Sequence, residues 1–160
     1  MRATSRFFSV IALLLVLVLF SAACSAPQGD EPQPPEIQYG LDECDACGMS
    51  IDDARFASAT LLMDGAYRKF DDIGDMIVYH MDHPDQQVEA WFVHDHDSEE
   101  WILAEDSFYV VSKEIESPMG HGIFAFETQE TAEKFAGGLS SAQVMNFEEV
   151  RADVHLKVHG

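Results

Sequence analysis

Positive charge is scarce in this chain: Lys and Arg number 9 against 29 Asp and Glu in 160 residues. That shortage excludes electrostatic nucleic-acid binding, which needs a cationic face to displace counterions. It equally excludes a polybasic membrane anchor. No Gly-x-Ser-x-Gly, phosphate loop or His-Glu-x-x-His occurs, so no catalytic constellation emerges and an enzyme is not expected. No calcium loop of the EF-hand type is present either. Cysteine is limited to 3 residues. A zinc site of the usual kind would need a second Cys pair, which is missing. After residue 23 no apolar run is long enough to span a bilayer.

The apolar content is nevertheless 47%, enough for one packed core and against wholesale disorder. Arg2 and Arg6 precede an apolar stretch from Phe7 to Phe20, broken only by Ser9, and then Ser21-Ala22-Ala23-Cys24. A charged start, a short apolar run and small residues before a cut site describe an export signal over residues 1–23. The Cys after the small residues resembles a bacterial lipobox and makes Cys24 the expected lipid-bearing residue, although Ser21 stands where an aliphatic residue is usual. Without the leader, 7 cations face 29 acids, a net charge of −22 with His neutral. Residues 24–40 carry four of the six prolines, with Gly, Gln and acids, and read as an extended tether. The expected location is outside the cytoplasm, held to a membrane by lipid.

The compact region is expected over residues 41–160, in halves of about 41–97 and 98–150. Residues 56–63 and 67–70 read as a hairpin around Asp64-Gly65. Asp71 and Asp72 suit the positive end of a helix in which Ile73, Met76, Ile77 and Met81 recur at helical spacing. A strand over 88–93 follows. The second half repeats this order: strands at 107–112 and 123–126, a helix after Glu127-Thr128 ended by Gly137-Gly138, and a strand at 142–146. Trp101 to Ala104 adds an edge strand. The tail after Phe147 fits helix and strand equally. The fold class is therefore α+β, with two strand–strand–helix–strand (ββαβ) halves forming one unit.

The densest chemical signal is Cys44-Asp45-Ala46-Cys47-Gly48-Met49, three sulfurs within one short loop. Thiolate and thioether are soft donors that select Cu(I) over hard cations. Gly48 permits the tight bend that swings Met49 toward the thiols. A disulfide and a redox Cys-x-x-Cys site remain open beside a metal site. Pro118-Met119-Gly120-His121-Gly122 offers two further copper-competent side chains, and reads equally as a flexible loop. His94 and His96 read as a solvated turn among acids. Met63, Met76, Met81 and Met145 read as core. The Asp residues read as a solvated acidic surface.

Together these residues resemble the NosL family, the lipoprotein accessory factors of nitrous oxide reductase. The likeness runs from Cys47-Gly48-Met49 through Phe70-Asp71 and the strands at 88–93 and 108–111. It continues through Met119-Gly120, Ile123 to Phe126, Phe135-Ala136 and Gly137-Gly138. The resemblance implies a Cu(I)-binding, lipid-anchored chaperone that serves denitrification. Its partners would be nitrous oxide reductase or that enzyme's assembly transporter. It implies sulfur ligation by Cys47, Met49 and Met119, to which Cys44 and the local addition His121 join as candidates. The alternatives are a thiol–disulfide oxidoreductase using Cys44 and Cys47, and a structural interaction lipoprotein with a disulfide.

Overall fold

The structure is a computed structural model that describes residues 31–160. The expected leader, the lipidation at Cys24 and the tether as far as residue 30 lie outside the described residues. Among the described residues no helix is long and apolar enough to cross a membrane.

The order is β1 (Ser58–Leu62), β2 (Tyr67–Phe70), α1 (Ile73–Asp82), β3 (Val88–His94) and β4 (Trp101–Leu103). A 3₁₀ turn (Ala104–Asp106) leads to β5 (Phe108–Val111), β6 (Ile123–Phe126), α2 (Gln129–Ala136), β7 (Gln143–Asn146) and α3 (Phe147–His159). The protein is α+β, with two antiparallel sheets ordered β2-β1-β3-β4 and β6-β5-β7. The first three strands of each sheet share one plan: the hairpin partner lies on one side of the leading strand and the post-helix strand on the other. Edge strand β4 pairs with β3, so the sheets part after Leu103 and not at residue 97.

Local chemistry explains the elements. Asp64 accepts from the backbone N–H of Ala66 and closes the β1–β2 turn. Asp72 caps α1 by accepting from Gly74 N–H at 2.7 Å, and Thr128 caps α2 by accepting from Thr131 N–H at 3.2 Å. The ambiguous tail is helical. Asn146 and Glu149 make a reciprocal capping box at its start, and Val150 and Val154 are buried. The two sheets meet where Asp95 bridges Ala125 and accepts from Glu127 N–H. One core runs through both halves, from Phe70, Ile73 and Met76 to Tyr109, Ile123 and Val150.

Three expectations need correction. The tether does not stay free up to residue 40: Ile37 joins the core, Pro35 is buried, and Lys69 Nζ donates to Glu36 O. His94 and His96 are not in a solvated turn. His94 is buried and bonded to Tyr39 and Ala57, and the His96 ring packs on Phe124, Phe126 and Phe135. Met63, read as core, is exposed, because the β1–β2 turn carries it past the sheet.

Candidate metal centre

The Cys44–Met49 loop is a tight reversal. Cys44 N–H donates to Met49 O, Gly48 N–H donates to Cys44 O, and Glu43 bridges Ser50. Gly48 holds φ at +73°, in the left-handed region where a side chain would strain the bend. The loop is pinned to the end of β2 in both directions. Asp45 N–H donates to Lys69 O, and Lys69 N–H donates to the Asp45 carboxylate. Lys69 Nζ adds an ion pair with Asp42 at 2.7 Å. These bonds set the two thiols against the residues that follow β2, Asp71 and the first turn of α1.

The 117–122 loop arrives at the same place from the second half. Ser117 Oγ donates to Asp72 Oδ2 at 2.6 Å, and Met119 N–H donates to the same oxygen at 3.1 Å. Gly122 N–H donates back to Ser117 Oγ, and a Cβ at Gly122 would lie 2.2 Å from Ser112 O. The His121 ring lies over Gly74, where a Cβ would stand 2.1 Å from His121 Cγ. Its Nε2 is 3.3 Å from Asp75 Oδ1. The two sequence motifs thus converge on the N-terminus of α1.

One donor atom from each of Cys44, Cys47, Asp71 and Asp75 falls within 4.8 Å of the others. Cys44 is buried, Cys47 is half-buried, and Asp71 and Asp75 are buried. The Cys47 thiol donates to Asp71 Oδ1 at 3.5 Å. Asp71 Oδ2 is buried with no partner among the described residues. Both thiols are free. Met49 and Met119 are 45% and 42% exposed, one on each loop. The candidate residues Cys44, Cys47, Met49, Met119 and His121 therefore lie on two loops joined to consecutive residues of one strand–helix step.

Asp71 and Asp75 were not singled out in the sequence, where they read as ordinary acids of a helix start. They are buried, so they do not belong to a solvated acidic surface. Burial pushes the Cys44 thiol up to about 12, and its hydrogen bond with Asp71 adds to the rise. Burial also raises Cys47, with the Asp71 charge as a further cause. A helix N-terminus ordinarily lowers a thiol pKa, but desolvation and the neighbouring carboxylate outweigh it here. Both thiols are thus protonated at neutral pH, and an incoming metal must displace their protons. The hydrogen bond to Asp75 raises His121, against the opposing effect of burial.

An α+β protein of two like halves, with cysteines and carboxylates gathered at one strand–helix junction, is a candidate metal-binding module. The chain matches the NosL family over residues 37–155. It belongs to the NosL family. Its fold is similar to that of the copper chaperone NosL from Shewanella denitrificans: 22% identity, TM-score 0.63, covering 74% of this chain and 96% of that one. No curated protein sequence matches it.

Proposed function

We propose that the chain is a lipid-anchored, extracytoplasmic chaperone that binds Cu(I) and delivers it for maturation of nitrous oxide reductase, to the enzyme itself or to its assembly transporter. The observation that carries this reading is the meeting of Cys44 and Cys47 with the Met119 loop at one helix start. Thiolate and thioether suit Cu(I), and the exposed Met49 and Met119 leave the soft donors open to an acceptor. Ligand exchange needs such openness, because the acceptor's ligand can enter before the donor's leaves. His121, on the same loop as Met119, is the candidate nitrogen ligand, its Nε2 now 3.3 Å from Asp75 Oδ1. The similarity to a copper chaperone supports the cargo, and the Arg2-to-Cys24 segment supports export and anchoring.

We assign the chain no catalytic step. A disulfide oxidoreductase needs a readily formed thiolate, and both thiols here are shifted the other way. The test is an anaerobic Cu(I) titration of the reduced chain against a chromophoric competitor. The expected result is saturable binding that Cys47→Ser weakens by about 100-fold, with a smaller loss for Met119→Leu. Binding no tighter than that of a weak competitor, or unchanged affinity in both variants, sinks the reading.

A further inference from the structure

Residues 33–40 carry little structure of their own. Pro34 and Pro35 keep the chain extended and bar it from a sheet ladder. Only Pro35 and Ile37 are buried, while Glu36 and Gln38 between and after them are exposed. The stretch is nevertheless docked. Tyr67 Oη donates to Gln33 O at 2.8 Å, and Lys69 Nζ donates to Glu36 O at 2.6 Å. These two side chains stand two residues apart on β2 and so share one face. Tyr39 Oη lies 3.1 Å from His94 Nε2. Ile37 is buried in the same core cluster as Cys44.

The docked stretch runs without a break into one arm of the thiol loop. Gly40 N–H donates to Ile51 O, Ile51 N–H to Asp42 O and Cys44 N–H to Met49 O, so residues 40–44 and 49–51 form a two-armed ladder. Asp42 Oδ2 accepts from both Lys69 Nζ at 2.7 Å and Gln38 N–H at 3.0 Å. Lys69 is the joint. Its ammonium holds the stretch through Glu36 and the loop arm through Asp42, and its backbone exchanges two bonds with Asp45. Cys44, on that arm, is 3% exposed, whereas Cys47, in the turn, is half-buried.

A segment held by two buried side chains and by bonds at the surface lies at the low end of local stability. Its release takes the loop arm with it, because the two share Lys69 and Asp42. We propose that residues 33–40 are a clasp on the thiol loop, docked over β2 through Tyr67 and Lys69, and that release of the clasp is the event that opens Cys44. Clasped, the loop presents one thiol, Cys47. Released, it presents two. The device works on the bare chain and does not depend on which ion the thiols take.

Thiol alkylation tests it on the full chain in detergent, reduced and kept metal-free by a chelator, with each labelled cysteine assigned by peptide mass spectrometry. Ile37→Ala removes the buried anchor and should speed labelling of Cys44 by at least about tenfold. Tyr67→Phe removes only the bond to Gln33 O and should speed it by about threefold. This milder variant carries the test if Ile37→Ala does not fold. Cys47, already accessible, should gain less than about twofold in either variant. Thr128→Ala loosens the distant α2 and should leave Cys44 within about twofold, which separates release of the clasp from unfolding of the whole chain. Amide hydrogen exchange gives a second readout: peptides covering 33–42 and 43–50 should exchange faster together in Ile37→Ala. Unchanged Cys44 labelling in both clasp variants overturns the proposal. So does faster exchange of 33–42 with 43–50 unmoved, or a gain from Thr128→Ala equal to that from Ile37→Ala.

Discussion

Phe70-Asp71-Asp72 and Phe126-Glu127-Thr128 are the same step taken twice. Each Phe ends a strand and is fully buried, and each helix begins three residues after it. What differs is the cover. Over the first junction lie the Cys44–Met49 loop and the 117–122 loop, and Asp71, Asp72 and Asp75 are buried. At the second junction Glu127, Thr128, Gln129 and Glu130 are exposed. The same backbone device therefore serves as an ordinary helix start in one half and as the floor of a candidate metal centre in the other. A helix N-terminus with an acid before it is no site by itself. It becomes a candidate here because two distant loops cover it and one of them brings two thiols.

The two caps should separate most sharply on truncation. Thr128→Ala removes one capping bond at an exposed helix start and should cost about 1 kcal/mol. Asp72→Ala removes the equivalent cap and also the acceptor for Ser117 Oγ and Met119 N–H. It should cost about 3 kcal/mol, since hydrogen bonds to a charged group are worth more than neutral ones. Urea unfolding of both variants checks this. Equal losses would mean that the loop is not held by the cap, and the contrast between the junctions would fail.

The second residue after each cap gives a smaller contrast. Glu130 is exposed, and Glu130→Ala should change stability by less than about 0.5 kcal/mol. Gly74 occupies the matching place under the His121 ring, which a Cβ would overlap. Alanine is the better helix former, but the ring and its loop must move, so Gly74→Ala should cost about 2 kcal/mol. It should also break the His121–Asp75 contact, visible as a shift of the His121 ring resonances in NMR. An unshifted ring would show that the loop rests elsewhere.

The repeat was legible in the sequence because its signals are local. Asp64-Gly65 marks a hairpin, the apolar spacing from Ile73 marks a helix, and Asp72 and Thr128 stand where caps belong. The capping box Asn146 to Glu149 was also there to read and would have settled the tail as helix. The thiols, Met49, Met119 and His121 were visible as chemistry, but their meeting point was not. Asp71 and Glu127 look alike in sequence, and only contacts made across 24 residues to Cys47 and 45 residues from Asp72 to Ser117 tell them apart. The burial of His94 and His96 is illegible for the same reason: His94 is covered by Tyr39, 55 residues away, and by Trp101, while the Asp95–Ala125 bridge sets His96 against the rings of the second sheet.

The last contrast lies at the far end of the two helices and concerns pH. Eight residues after the caps stand His80 in α1 and Ala136 in α2. His80 Nε2 bonds Thr60 Oγ1 at 2.9 Å, and its ring lies among those of Phe70, Tyr79 and Trp91. Its Nδ1 is buried without a partner among the described residues. Burial lowers its pKa from 6.5 to about 4, helped by the positive charges of Arg68 and Arg151 and by His83. In the unfolded chain the imidazole takes up a proton near its ordinary value, while the folded chain refuses it until about pH 4. The stability tied to neutral His80 is therefore complete above pH 6.5 and is lost progressively as pH falls toward 4. Partial exposure screens the effect, which should amount to about 1 kcal/mol. A substitution at Ala136 should leave the pH slope unaltered, because nothing there titrates. Urea unfolding at pH 7.5 and pH 5 should show a smaller loss for His80→Gln than for the unaltered chain. Parallel losses would place the proton uptake elsewhere and leave the two helix ends alike in their response to acid.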